Sequence, residues 1–333
     1  MRIAVDGYGG DYSPTEVVKG ALAALEQDKD IEILLTGKRE ELVALAGEHD
    51  RLIIRDAREV IGCDEVPTVA VRTKKESSLV VALDAVKDGE ADGLVSAGST
   101  GAVLIGATLK IGRVKGVERP ALAPALPTVT GGNVILCDCG ANVDCRPTYL
   151  VGFARMAVAY QKGVFGLENP RVGLLNNGAE ETKGNAFSVE CHGLLKNAKG
   201  INFIGNVEAR DILSGEVDVV VADGFDGNVA LKSAEGTANA VFSLLKQGIY
   251  AGGTRAKLGA LMLKPVFKGL KRKLDYNEHG GAAFLGLKKP VVKAHGSSKA
   301  KSICGAILQV RDMIAGGVSE RLAADLQKDV QND

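Results

Sequence analysis

MRIAVDGYGGDYSP, residues 1–14, sets the pattern on which the fold is read: the apolar run Arg2 to Val5, with the length of a buried strand, breaks into Asp6-Gly7-Tyr8-Gly9-Gly10-Asp11. The pattern recurs at 93–95 before Ser96-Ala97-Gly98-Ser99-Thr100-Gly101, at 134–137 before 138–144, and at 172–175 before Asn176-Asn177-Gly178. It returns at 217–221 before Asp223-Gly224-Phe225-Asp226-Gly227-Asn228, and at 291–293 before His295-Gly296-Ser297-Ser298. Further strand candidates at 31–35, 52–55 and 201–204 alternate with helical stretches such as 15–26, which Ser13-Pro14-Thr15-Glu16 opens. Short apolar strands alternating with helices predict βαβ units: a three-layer α/β/α fold around a large, mostly parallel sheet. Ligands bind at the carboxyl ends of strands in such sheets, so six polar, glycine-rich ends predict one composite site, although each alone is ordinary turn chemistry.

One stretch resists this reading. Three prolines within 119–127, RPALAPALP, exclude an interior strand with a full ladder, leaving a link between lobes or an edge strand. With no short repeat and no low-complexity linker, residues 1–333 read as a single domain.

Composition narrows the function. Of 333 residues 46% are hydrophobic, enough for a large core, and 41 basic residues balance 41 acidic ones. Neutral balance, no tryptophan and 4% aromatics argue against a nucleic-acid partner. Without a leader-like start or a long apolar run, the expected location is the cytoplasm. Cys137, Cys139 and Cys145 lack the paired spacing of a zinc site, so no metal is expected and the thiols read as buried and reduced.

TRAKLGALMLKPVFKGLKRKL, residues 254–274, breaks the rhythm with seven Lys or Arg and no acid. Leu258, Leu261, Met262 and Phe267 recur at helical spacing between cations that include Lys268, Lys271, Arg272 and Lys273, as in a helix lying on an anionic membrane surface. A helix packed on the body or a dimer contact fits the pattern equally well. Pro265 should kink the segment or divide it in two.

Three catalytic templates fail: Tyr12 stands where a third glycine would complete a dinucleotide fingerprint, and neither a P-loop nor a G-x-S-x-G elbow occurs. What remains is anion chemistry. Gly98, Ser99, Thr100 and Gly101 precede the helical stretch 102–111, whose N-terminal N–H groups can meet a phosphate. Cationic help is available from Lys183, or from Arg72, Lys74 and Lys75, which otherwise read as solvated surface charges. Of four histidines, His49 and His192 read as structural or exposed. His279 and His295 sit beside glycine, and His295 is the better site candidate because Gly-Ser-Ser follows it.

These residues carry a resemblance. The first fourteen residues, SAGSTGA, RPALAP, CDCGANVD, LLNNGAEETKGN, NFIGNVEARD, DVVVADGFDGNVALKSAEG, GGAAFLG and AHGSS, in this order across nearly the whole chain, resemble the bacterial phosphate acyltransferase family. The resemblance implies transfer of an acyl group from acyl carrier protein to inorganic phosphate, giving an acyl phosphate for a membrane glycerol-phosphate acyltransferase in phospholipid synthesis. It further implies no cofactor, a homodimer, peripheral membrane binding, and a fold like that of the isocitrate and isopropylmalate dehydrogenases and the phosphotransacetylases. Gly7-Tyr8, Tyr12, Ser99 and Cys139 depart from the family's usual residues.

Phosphate is substantially dianionic near pH 7 and a thiol leaves readily, so placement can carry much of the rate. Ser99, Thr100, Gly101, Lys183, Ser297 and Ser298, with Gly98, are expected to bind phosphate or oxyanion, with His295 as positioning or proton donor. Gly9, Gly10, Asp11, Asn142, Asp144, Asn177, Asn185, Asp223 and Asn228 are expected to shape the pocket. Three rivals remain: a phosphotransacetylase-like transfer from acyl-coenzyme A, a membrane-docked scaffold that recruits carrier protein without catalysis, and an oxidoreductase, which the broken glycine fingerprint disfavours.

Overall fold

The computed structural model describes residues 1–274 and 280–332, with side chains for 1–270 and 280–328; His279 and the side chains of Lys271, Arg272 and Lys273 lie outside the described residues. The first half contains β1 (Arg2–Asp6), α1 (Thr15–Gln27), β2 (Glu32–Gly37), α2 (Arg39–Ala46), β3 (Leu52–Asp56), α3 (Pro67–Thr73), α4 (Ser78–Lys87), β4 (Gly93–Ser96), α5 (Thr100–Lys110) and β5 (Ala121–Pro127). The chain continues through β6 (Asn133–Cys137), α6 (Pro147–Phe165), β7 (Arg171–Asn176), α7 (Ala186–Asn197), β8 (Asn202–Glu208) and β9 (Val219–Val221). Then come α8 (Gly224–Ala251), α9 (Gly253–Met262), α10 (Lys264–Leu274), β10 (Ala282–Leu285), β11 (Val291–Lys293), α11 (Ala300–Ala315) and α12 (Val318–Asn332).

The strands form one sheet in the order β3-β2-β1-β4-β11-β10-β5-β6-β9-β7-β8. Period-two alternation sorts each strand between the layers. Ile3 and Val5 face α1 and α11, whereas Ala4 faces α4 and α5. In the second half Ile135 and Cys137 face α6, and Val134 and Leu136 meet Leu231 of α8. All of these strand side chains are fully buried, each large one contributing roughly 1.5–3 kcal/mol.

Two expectations are corrected. The proline-rich stretch is β5, an interior strand rather than an edge: it pairs antiparallel with β10 through 121–124 and with β6 through 125–127. Neither neighbour ladders its whole length, which is how Pro124 is tolerated. Where β6 gives out, Asp138 Oδ1 accepts the Leu122 N–H at 2.8 Å and the Leu122 carbonyl accepts from Cys139 N at 2.9 Å.

Because three antiparallel pairings in a row, β11 with β10, β10 with β5 and β5 with β6, separate the halves, β6, β7 and β9 run against β1, β4 and β11. The six glycine-rich ends, expected to form one composite site, therefore form two clusters. The clusters face each other across a short floor: Lys293 pairs with Ala282 and Ala282 with Pro124, while Cys139 lies beside Leu122 on the same strand.

The basic segment is divided rather than kinked. α9 closes at Leu263, and Pro265 falls in the first turn of α10, where no intrahelical N–H is needed. No helix among the described residues is long and apolar enough to cross a membrane.

Candidate active site

The first cluster is built by backbone contact. Asp6, buried at the end of β1, accepts from Ser96 Oγ at 2.7 Å and from the Tyr8 N–H at 3.3 Å, and Ser96 Oγ accepts the Gly98 N–H at 3.1 Å. A methyl on Gly9 would stand 2.6 Å from Gly98 N and 2.8 Å from Asp6 Oδ2. Gly10 has φ +95, and the Asp11 N–H reaches the Gly296 carbonyl at 2.8 Å. Gly9, Gly10 and Asp11 thus tie the β1 loop to those after β4 and β11.

The second cluster hangs on Asp138. Besides Leu122 it accepts from the N–H groups of Ala141 (3.2 Å) and Asn142 (2.6 Å) and from Asn142 Nδ2 (3.0 Å). Burial still holds its carboxyl above the usual range, these hydrogen bonds opposing the rise. Asn142 Nδ2 also donates to Pro120 O at 2.8 Å, and its carbonyl accepts the Gly224 N–H at 2.7 Å. Asp223 caps α8 by accepting the Asp226 N–H at 2.8 Å, which turns Asn228 toward Gly140.

Between the clusters lies a cavity of about 410 Å³ lined by Thr100, Gly140, Asn228, Lys232, Lys293 and His295 over a floor that includes Leu122 and Pro124. Lys293 is only 8% exposed, its Nζ donating to the carbonyls of Ala97 (3.4 Å) and Ala294. Burial pushes its pKa from 10.5 down to about 8, against the pull of acidic neighbours including Asp6 and Asp11. His295 Nδ1 accepts the Ser297 N–H at 3.2 Å and lies 2.8 Å from Ser297 Oγ. That contact assigns the proton of the neutral ring to Nε2. Burial, then the charges of Lys232 and Lys293, hold the ring below its ordinary pKa, which keeps it neutral at pH 7.

The two helix termini at the cavity differ in the donors they leave open. Ser99 occupies the N-cap of α5 without a side-chain cap bond, and the first N–H with a helical partner is that of Val103. The preceding N–H groups of Thr100, Gly101 and Ala102 are the donors such a terminus offers. At α11 the Ala300 N–H is already taken by the Glu16 carboxylate at 3.0 Å. Ser298 Oγ is buried without a hydrogen-bond partner.

Several sequence candidates stand elsewhere. Lys183 is half-exposed, 3.9 Å from Glu180, and is not among the residues lining this cavity. Asn177 and Asn185 line a second cavity of about 900 Å³ across α8, Asn185 capping α7 through the Ser188 N–H at 2.9 Å. Asp144 is exposed at the surface, Lys74 is engaged by Glu65 at 2.7 Å, and buried His192 meets Asn206 at 3.0 Å. Sequence reasoning passed over Lys293, Lys232 and the β5 floor. The missed signal was a lysine closing the run Val291-Val292, a charge that a core strand carries only with a use.

Beyond Leu231 no residue of α8 is buried, and the helix leads into α9 and α10. Leu258, Leu261 and Met262 are 61%, 64% and 83% exposed. Phe267 lines an apolar groove between α8 and α10, rimmed by Lys246, Lys257, Lys264 and Lys268.

Residues 1–321 match the family model described as fatty acid synthesis protein. A phosphate acyltransferase of Bacillus cereus is 50% identical over 329 residues, covering 99% of each chain, and one of Bacillus thuringiensis is 49% identical over the same length. Among solved structures, a phosphotransacetylase from Streptococcus pyogenes superposes with TM-score 0.62 at 20% identity, over 96% of this chain and 94% of its own. A 4-hydroxythreonine-4-phosphate dehydrogenase from Klebsiella pneumoniae follows at TM-score 0.52 and 14% identity, over 96% of this chain and 99% of its own. At these identities the likeness is one of fold, and the expected phosphotransacetylase-like fold stands. With half its residues shared along its full length, the chain belongs to the phosphate acyltransferase family and is an acyltransferase.

Proposed function

We propose that the protein transfers a fatty acyl group from acyl carrier protein to inorganic phosphate, within the cavity between Thr100 and His295. The observation that carries this reading is a nine-tenths-buried ammonium, Lys293, sharing that cavity with the open N-terminus of α5. Phosphate held there brings one oxygen to the thioester carbonyl carbon. The new O–C bond forms as the C–S bond breaks, and the thiolate, stable enough to leave, takes its proton from water. A neutral His295 is a hydrogen-bond donor through Nε2, suited to the developing oxyanion rather than to protonating the thiolate.

The purified protein should release free thiol and acyl phosphate only when phosphate is present, and faster from acyl carrier protein than from acyl-coenzyme A. The reverse preference would favour the phosphotransacetylase-like rival, and no release at all would favour the scaffold. A trapped acyl-enzyme would overturn direct attack. His295→Ala should lower kcat/KM about 10²-fold, the loss typical of one oxyanion donor. Lys183→Ala tests a role for which proximity gives no support here.

The exposed apolar residues of α9 and the lysine-rimmed groove suit peripheral attachment to an anionic bilayer, where acyl phosphate would pass to a membrane glycerol-phosphate acyltransferase for phospholipid synthesis. The same long helix suits pairing with a second copy. Flotation with anionic vesicles should carry the protein upward, and Leu261→Glu with Met262→Glu should leave it in the dense fraction. Equal flotation of both would exclude this surface.

A further inference from the structure

The catalytic cavity is small for a long acyl chain: about 410 Å³, near the lower end of the roughly 300–1,000 Å³ typical of ligand sites, and partly claimed by polar groups. Across α8 lies the cavity of about 900 Å³, its walls including Leu126, Leu175, Leu213 and Ala234. The two are neighbours along one surface. Side chains at 122, 124 and 126 of β5 project from the same face; Leu122 and Pro124 line the first cavity and Leu126 the second. Leu231, 9% exposed on the underside of α8, lines both. One apolar strip therefore runs from the catalytic cavity beneath α8 into the larger one.

We propose that this second cavity receives the distal part of a straight-chain acyl group, with Leu231 as the divide the chain passes. The inference rests on the acyl-transfer reading above and adds where the chain lies and what limits its length. A carbonyl carbon held beside Lys293 and His295 then has its chain leaving along β5, away from the charged groups. Short chains end before Leu231; long ones cross it.

The test narrows the second cavity from exposed positions on α8 that tolerate bulk: Ala234→Trp and, one turn further, Thr237→Trp. The quantity read is the ratio of kcat/KM for palmitoyl to hexanoyl thioesters of carrier protein. It should fall about tenfold or more in either variant, the discrimination that a hydrophobic pocket delivers when it loses room for methylenes. An unchanged ratio in both folded variants overturns the placement. A second measurement needs no turnover: the fluorescence gain of parinaric acid on binding the unaltered protein should weaken in both variants, and equal affinity would overturn the proposal. Selective loss of parinaric acid binding in a protein without phosphate-dependent transfer would retain the cavity and discard the reaction.

Discussion

Lys293→Met should yield a protein that resists unfolding better at neutral pH and has lost nearly all acyl transfer. A displacement from 10.5 to about 8 corresponds to roughly 3 kcal/mol in favour of the neutral amine, so at pH 7 the folded state still carries an ammonium and bears that cost relative to the unfolded chain. Below pH 8 that cost is constant. Between about 8 and 10.5 the unfolded chain binds the extra proton, so stability rises with pH across that window. Methionine fills the same space without charge, and Asp6, already raised by burial, keeps Ser96 and Tyr8 as partners. The gain should be about 1–3 kcal/mol, as when buried charges elsewhere give way to apolar groups. Calorimetry at pH 7 would show it as a rise of about 2–4 °C in Tm.

The same change removes the buried cation from the proposed phosphate site, and kcat/KM should fall about 10²–10³-fold. In the unaltered enzyme the KM for phosphate should climb about tenfold per pH unit once the pH passes 8, as the ammonium titrates. A variant that is both less stable and equally active would reject this view of Lys293.

Gly227→Ala should be the most damaging single methyl in the site. The added carbon would stand 1.9 Å from the Asp138 carbonyl oxygen and 3.1 Å from its carbon, both backbone atoms of the loop that Asp138 itself ties down. Neither partner can swing aside. The first turn of α8 must lift, taking Asn228 and Lys232 from the cavity wall, at about 2–4 kcal/mol of stability, beyond ordinary overpacking. Urea denaturation should show a lower midpoint, with kcat/KM down at least about tenfold. Gly236→Ala on the same helix is the control: nothing lies within 4 Å of the added methyl, and it should stabilise by about 0.5–1 kcal/mol. Equal stability of the two variants would contradict the close approach of α8 to Asp138.

Local signals carried much of the fold. All nine strands read from apolar runs are present, and α1 spans Thr15–Gln27 where 15–26 was expected. β5, read as a link or an edge strand, and β10, not read as a strand, are the two that reverse the sheet. Their direction is set by pairing 121–124 with 282–285, a contact between segments about 160 residues apart that no local periodicity records. The site was legible where main-chain chemistry dominates, as at Gly9, Thr100 and Asn228. It was opaque at Lys293, whose side chain is meaningful only once Ala97, Asp6 and the β5 floor surround it. Lys183, in contrast, looked promising from its glycine-rich neighbourhood, yet β7 runs its loop out on the far side of α8.

The tie between Asp11 and Gly296 has a consequence for biosynthesis. Segments nearly two hundred residues apart each supply a wall of one pocket, with Thr100 from one and His295 from the other. A nascent chain emerging from the ribosome can settle its early strands long before it owns a catalytic centre. A fragment that stops before β11 lacks Lys293 and His295 from the cavity wall and should transfer no acyl group.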